Sequence, residues 1–245
     1  MPPRNESRLW TKTVEMDPAR NLRLSLVEDP TIDVGGDEAW CAWCLWPAGR
    51  VLTAYLASLE DDALKDQSVL ELGSGCGAVG MYLGLRGASP VVLTDVYRAL
   101  PLLKRNVTAN GLGSRCAISA LPWGTPLERL APAIRSRAPF DLVVASDCTY
   151  DFALTAGWPS PSMDNLLATA RCCSKKALIC VSRRVNEIEA FHAALDRAGL
   201  TQLAKVVHTA AVDVVKEGVS ECMVYAFDFA GSSLASPACP DAGPV

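Results

Sequence analysis

The sequence predicts an α/β fold in which a mainly parallel sheet carries helices on both faces. From residue 68 onward, short apolar segments alternate with longer amphipathic ones, which is the pattern of repeated β–α units. One of the apolar segments runs directly into a glycine-rich turn. The last two strand-like segments, 204–215 and 222–229, have no helix between them. A hairpin there would add one antiparallel strand to a Rossmann-like seven-stranded sheet.

Each element follows from local composition and spacing. The predicted strands are 68–72, 91–94, 116–120, 142–145 and 178–181, and the predicted helices are 78–86, 99–109, 127–136, 165–173 and 187–198. Asn110-Gly111 and Gly199 each follow a helix, where a C-terminal cap is expected. Upstream, the alternation at 22–27 indicates an accessory strand, and 47–59 is predicted as a helix.

Length and composition predict one domain with appendages. A chain of 245 residues with 50% apolar content can bury a full core. We expect residues 1–60 to form an N-terminal arm with the accessory strand and helix, and 61–230 to form the core. The stretch 231–245 is rich in glycine, serine, proline and alanine, which predicts a disordered tail.

The charge and the cysteines of the chain limit which binding partners and which cellular location we expect. The net charge is −4 and no long basic run occurs, which argues against extended nucleic acid as the main partner. The sequence shows no signal-peptide core and no membrane-length apolar run, so a cytoplasmic or nuclear monomer is expected. The ten cysteines are scattered, and the lone Cys41-Ala-Trp-Cys44 lacks a second pair. We expect reduced thiols and no metal site.

The glycine-rich turn at 71–77 indicates a nucleotide-type cofactor, and two cofactors compete for it. Residues 75–80 satisfy the dinucleotide pattern G-x-G-x-x-G. Glu71-Leu-Gly-Ser-Gly-Cys-Gly77 also fits the acid-x-G-x-G-x-G pattern of S-adenosylmethionine (AdoMet) enzymes. A carboxylate suits the ammonium and sulfonium of AdoMet and disfavours a pyrophosphate. The sequence therefore favours AdoMet over a nicotinamide or flavin cofactor, and over a turn without ligand.

Residues at the carboxyl ends of the predicted strands are the candidate site, because ligands bind at that edge of an open α/β sheet. Asp95 ends the second strand and could accept both ribose hydroxyls, whereas Trp123 follows the third strand and could lie against an adenine. The fourth strand ends in Ser146, Asp147 and, three residues beyond Asp147, Tyr150. An acid and an aromatic hydroxyl at this place indicate nitrogen methylation. The lack of the Pro-Pro found in base methyltransferases argues against a base edge as the acceptor.

Together these motifs resemble the seven-β-strand protein-lysine methyltransferases, also called methyltransferase family 16. The resemblance runs from about residue 40 to residue 229. It rests on Trp46, the 71–77 turn, Leu93-Thr-Asp-Val96, Asn106, Asn110-Gly111, Trp123-Gly124 and Asp147-x-x-Tyr150.

The resemblance implies methyl transfer from AdoMet to a lysine of a protein substrate. Trp46 and Trp123 would then flank the cofactor, and Asp147 and Tyr150 would lie near the acceptor amine as catalytic residues. The remaining cofactor contacts would come from Glu71, Gly73, Ser74, Gly75, Gly77, Asp95 and Ser146.

Two departures from the family and two other functions stay open. Pro122 stands where family members carry an acid, and the segment 153–162, which contains Trp158, is longer than typical. That segment is either a substrate-facing lid or a surface loop. The first alternative function is a small-molecule or nucleic-acid amine N-methyltransferase, and the second is a non-catalytic methyltransferase-like binding module.

Overall fold

The computed structural model describes residues 10–28, 44–149, 162–184, 186–214 and 218–230. Its strands are β1 Trp10–Asp17, β2 Leu22–Glu28, β3 Val69–Leu72, β4 Val91–Asp95, β5 Cys116–Ala120, β6 Leu142–Ser146, β7 Lys176–Ser182, β8 Lys205–Val214 and β9 Gly218–Asp228. Its α-helices are α1 Pro47–Ala57, α2 Ala78–Leu85, α3 Leu100–Ala109, α4 Pro132–Arg135, α5 Ser162–Cys173 and α6 Glu187–Arg197.

Seven strands form one sheet in the order β5-β4-β3-β6-β7-β9-β8. Strands β3 to β7 pair in parallel, and β9 runs antiparallel to both β7 and β8. The predicted α/β class with one antiparallel C-terminal strand is therefore confirmed. All four residues of β3 are buried, as expected for a central strand covered on both faces.

Two apolar clusters sandwich the sheet. One contains residues of β1, β2, α1, α2 and α3, such as Leu24, Leu52 and Met81. The other contains residues of α4, α5 and α6, such as Leu166 and Phe191. Helices consequently lie on both faces, and the accessory elements before residue 60 share the first cluster with the sheet. The division into arm, core and tail stays a prediction.

Two local features differ from the pattern-based predictions. Strand β1 was not predicted, because only Val14 and Met16 carry its apolar alternation and its stability depends on the antiparallel ladder with β2. The single helix predicted over 127–136 is instead a 3₁₀ turn at Leu127–Arg129 followed by α4. Pro132 causes the break, because it disfavours helical geometry at the preceding Ala131, whose ψ is 145°.

The described ranges also show the character of the helices and the state of the cysteines. None of the helices described there has both the length and the apolar character needed to cross a membrane. The eight cysteines in those ranges are free thiols, and six of them are buried. Cys41 lies outside the described residues.

Candidate functional site

The parallel pairing brings the predicted site residues to one edge of the sheet. Leu72, the last residue of β3, pairs with Thr94 of β4 on one side and with Ala145 of β6 on the other. Asp95 and Ser146 follow directly at the ends of these two strands. The glycine-rich turn after β3 therefore lies between Asp95 and Asp147, the two acids predicted from the sequence as site residues.

Gly73 is a point of close packing between this turn and two other segments. Its φ is +63°, and a Cβ built on it would lie 2.6 Å from Sγ of Cys148 and 3.1 Å from Cζ2 of Trp123. Gly75 and Gly77 also have positive φ, at +54° and +80°. The turn thus uses a backbone conformation that favours glycine, and the Trp123 ring packs directly against it. The glycines thus let Cys148 and Trp123 pack closely on the turn.

Asp95 has the geometry of a diol receptor. Its Oδ2 accepts from the Gly75 N–H at 2.7 Å, and its Oδ1 accepts from the Val96 N–H at 2.7 Å. Each carboxylate oxygen keeps a second lone-pair site. Burial raises the pKa of Asp95, and the two N–H donors oppose that shift. The side chain is therefore held rigidly with capacity to accept two hydroxyl groups, which fits a ribose.

The Glu71 side chain points into the protein interior. Its side chain is buried, and its Oε2 accepts from the Gly80 N–H of α2 at 3.2 Å. Burial raises its pKa to about 8, against the opposing hydrogen bonds from the Ser74 hydroxyl and from Gly80. Glu71 therefore joins the turn to α2 in a largely protonated form at neutral pH. The predicted contacts of Glu71 and Ser74 with a cofactor stay predictions, and the charge argument for AdoMet does not follow from this geometry.

Trp46 and Ser146 lie at the same edge. The half-buried Trp46 precedes α1, whose first turn packs against the end of β6. A Cβ built on Gly49 of α1 would lie 3.4 Å from Oγ of Ser146. This arrangement is consistent with the roles predicted for the two residues, and their contacts with a cofactor stay predictions.

Asp147 carries the most unusual side-chain environment of the site. It has a φ of +57° and is 7% exposed. Its Oδ1 accepts from Oγ of Ser182 at 3.0 Å and from Nη1 of Arg184 at 2.7 Å. Its Oδ2 is buried and has no hydrogen-bond partner within the ranges that the structure describes. A buried carboxylate oxygen without a donor is costly, so Oδ2 is suited to bind a cationic or N–H donor group.

Asp147 belongs to a polar cluster that the sequence analysis missed. Nη1 of Arg184 also contacts Oε2 of Glu187 at 3.2 Å, and the Thr149 hydroxyl donates to Oε1 of Glu187 at 2.6 Å. Burial acts to lower the pKa of Arg184, but the charges of Asp147 and Glu187 outweigh it and the pKa is raised. Burial also raises the pKa of Glu187, despite the opposing Thr149 and Arg184. The sequence held one signal for this cluster. Ser182 ends β7 at the same edge of the sheet at which Asp147 follows β6.

The second predicted catalytic residue, Tyr150, lies outside the described residues. So does 153–161, most of the segment predicted as a lid or loop, whereas Ser162 begins α5.

The fold has a counterpart among solved structures. Magnesium protoporphyrin IX methyltransferase from Synechocystis, solved with bound SAM, superposes with a TM-score of 0.52 over 81% of this chain and 89% of its own. At 13% sequence identity, this likeness concerns the fold alone.

Curated relatives are similar in sequence over part of their length. The yeast protein-lysine N-methyltransferase EFM6 is 34% identical over 47% of this chain and 54% of its own length. The mouse protein N-lysine methyltransferase METTL21A is 32% identical over 58% of this chain and 60% of its own. The matched segments thus span little more than half of these relatives. Residues 28–198, well over half of the chain, match the lysine methyltransferase family model, and the chain belongs to this family, methyltransferase family 16.

Proposed function

We propose that this protein is an AdoMet-dependent N-methyltransferase that acts on a lysine side chain of a protein substrate. Membership of the lysine methyltransferase family supports the reaction class. The observation that carries the proposal is the unpaired buried Oδ2 of Asp147, at the same edge as the glycine-rich turn. The named activities of EFM6 and METTL21A favour a protein acceptor.

The residues around the turn fit the adenosine part of AdoMet. Asp95 offers two fixed oxygens for a ribose diol, and Trp123 places an aromatic face against the turn at Gly73. Residues 28–198 match the lysine methyltransferase family, which favours AdoMet over a dinucleotide. When bound, AdoMet supplies a methyl group on a sulfonium, which leaves as a neutral thioether.

The chain's own contribution is alignment and control of the acceptor's proton. The site would have to hold the amine, once its proton has passed to solvent, with the nitrogen lone pair directed at the methyl group that bound AdoMet would supply. A lysine of ordinary pKa needs about 4.5 kcal/mol to lose its proton at neutral pH. Oδ2 of Asp147 can accept a hydrogen bond from the nitrogen and orient it. An isolated carboxylate would also hold the proton on the amine, so the charge on Asp147 has to be balanced.

The remaining assignments are part of the same proposal. We infer that the protein works as a monomer in the cytoplasm or nucleus. The net charge of −4 supports a protein acceptor over nucleic acid.

The test is methyl transfer to a protein, compared between the wild type and Asp147→Asn. Asparagine keeps the side-chain volume and tolerates positive φ, so the variant removes the negative charge with little backbone strain. The purified chain is incubated with methyl-labelled AdoMet and desalted cell extract, and the products are resolved on a denaturing gel. We expect a discrete labelled band with the wild type and its loss with Asp147→Asn. The affinity for S-adenosylhomocysteine, measured by calorimetry, should stay within about threefold because Asp147 acts on the acceptor.

Asp66→Asn is the matched control, because Asp66 is an exposed aspartate with a φ of +59° away from the site. It should label the same band as the wild type. Label in small molecules or nucleic acid alone would move the proposal to those acceptors. S-adenosylhomocysteine binding without any transfer would indicate a non-catalytic module.

A further inference from the structure

Two buried carboxylates share one guanidinium beside the acceptor position. Nη1 of Arg184 contacts Oδ1 of Asp147 at 2.7 Å and Oε2 of Glu187 at 3.2 Å. The side chains of Asp147 and Glu187 are only 5% and 4% exposed. With all three groups ionised the cluster carries one negative charge, and Oδ2 of Asp147 has no donor among the described residues.

The contacts of the cluster hold Asp147 in one orientation. Ser182 and Arg184 both bind Oδ1, which leaves Oδ2 as the free oxygen. Glu187 is itself held by the Thr149 hydroxyl, two residues beyond Asp147 on the same loop. Arg184 and Glu187 therefore connect the segment after β7 to the loop after β6. The Arg184 side chain is 40% exposed, but its Nη1 lies in direct contact with both buried carboxylates, so a change in charge at Arg184 or Glu187 acts on Asp147 at short range.

We propose that Arg184 is a positioning residue that acts through Asp147 and lowers the cost of deprotonating the acceptor amine. The inference deepens, and rests on, the proposed lysine methyltransferase function. By balancing the carboxylate charge, Arg184 lets Asp147 accept a hydrogen bond from the amine without strongly stabilising the ammonium. Glu187 takes up part of the guanidinium charge, so that Asp147 keeps enough negative character to attract the incoming lysine.

This arrangement predicts opposite effects of removing the two charges. Without the positive charge of Arg184, the cluster stabilises the ammonium, so the acceptor needs a higher pH to react. Without the negative charge of Glu187, Arg184 balances Asp147 more completely and the acceptor reacts at a lower pH. A residue with only a structural role would lower the rate at every pH and would not move the midpoint.

Among the residues that the structure describes, four further titratable groups interact with the Asp147 charge, and all four are thiols. They are Cys44 before α1, Cys148 in the loop, Cys180 on β7 and Cys222 on β9. The pKa of Cys222 is lowered to about 7, chiefly by its hydrogen bond with Cys180. Because this shift brings the Cys222 thiol toward the range of the measurement, the variants are compared on a Cys222→Ser background as well.

The experiment measures the initial rate of labelling of the acceptor band in desalted extract from about pH 6 to about pH 10, a range that brackets the acceptor amine titration. We expect Arg184→Gln to move the midpoint up by about one pH unit and Glu187→Gln to move it down by a similar or smaller amount. Arg184→Lys retains the charge and should keep the wild-type midpoint at a reduced rate. Arg183→Gln is the matched control, because Arg183 pairs with Glu221 and its side chain is 58% exposed.

The outcomes separate this inference from the proposed function. A labelled band whose midpoint is the same in wild type, Arg184→Gln and Glu187→Gln, or moves in one direction in both variants, would overturn the role of Arg184 and leave the methyltransferase function intact. No labelling by the wild type at any pH would overturn the function, and the inference with it. S-adenosylhomocysteine affinity and melting temperature are measured for every variant. If Arg184→Gln does not fold, the Arg184→Lys and Glu187→Gln midpoints still decide the question.

Discussion

Gly73 connects the cofactor turn to both sides of the candidate site. The space that its missing side chain leaves is occupied by Sγ of Cys148 and by the Trp123 ring. These two residues come from the loop after β6 and the segment after β5. The tight contact means that one methyl group at this position would displace groups from two other segments, so Gly73 is a residue at which site geometry and backbone conformation can be tested together.

Gly73→Ala should weaken both the fold and cofactor binding. The positive φ alone costs about 1–2 kcal/mol for a residue with a Cβ, and the contacts at 2.6 and 3.1 Å add the cost of moving Cys148 and Trp123. We expect the affinity for S-adenosylhomocysteine to fall by at least about tenfold, which corresponds to 1.4 kcal/mol. Calorimetry and urea unfolding measure the two effects.

Gly111→Ala provides the control for the backbone cost alone. Gly111 has a φ of +66°, and nothing lies within 4 Å of a Cβ built on it. It should lose about 1–2 kcal/mol of stability from the positive φ alone and retain wild-type affinity. Equal losses of affinity in the two variants would show that the crowding at Gly73 has no part in the binding site.

At the scale of elements, amide side chains of α3 and of the residue that follows it stabilise β2 by binding its backbone groups. Oδ1 of Asn106 accepts from the Val27 N–H at 2.7 Å, and its Nδ2 donates to the carbonyls of Val27 and Cys76 at 3.1 and 2.9 Å. One turn later, Asn110 bonds both backbone groups of Ser25. These amides satisfy the backbone of an edge strand that lacks a second neighbour. The bond to Cys76 also connects β2 and α3 to the glycine-rich turn.

Asn106→Ala should therefore destabilise the protein strongly. It removes three hydrogen bonds in a fully buried place and leaves the Val27 N–H without an acceptor. We expect a loss of about 3 kcal/mol in the free energy of unfolding, measured by urea denaturation. Asn110→Ala should cost about 1 kcal/mol, because its surroundings are partly exposed and water can replace the amide. A loss no greater for Asn106 than for Asn110 would contradict this account of β2.

At the scale of the whole molecule, the buried Glu71 makes stability depend on pH. Its pKa is about 8 in the folded protein against 4.5 for an unperturbed glutamate. Between these values the folded state binds a proton that the unfolded state has released, so stability decreases as the pH rises through the window. The contribution of the protonated Glu71 to the free energy of unfolding is fully present below pH 4.5 and is lost as the pH rises past 8.

Glu71→Gln should remove this pH dependence, because glutamine is neutral at every pH. We expect the unfolding free energy of the wild type to fall relative to that of the variant, by at most about 1.4 kcal/mol per pH unit inside the window. Urea unfolding of both proteins at several pH values gives the difference directly, and other titrating groups largely cancel in it. Parallel stability curves would show that Glu71 is ionised in the folded protein.

The sequence was sufficient for the elements whose signals are local. The apolar run that ends at Leu72 and the glycines that follow it predicted β3 and its turn, because a buried strand and positive-φ positions each leave a direct composition signal. The helix-free pair at the C-terminal end predicted the antiparallel β9. Strand β1 was missed, because its formation depends on pairing with β2 and on contacts with the first apolar cluster.

The sequence by itself determined the fold class, the place of the glycine-rich turn and the acids at the strand ends, because the alternation of strand and helix segments and the glycine spacing are local patterns. Only the tertiary structure decided what those acids contact. It turned Glu71 inward to Gly80, gave Asp95 two backbone donors, and placed Arg184 on Asp147 across 37 positions of sequence. The physical reason is that the charge and proton affinity of a carboxyl group depend on its burial and on the partners that the sheet brings to it. Burial and distant partners cannot be predicted from the neighbouring residues in the sequence.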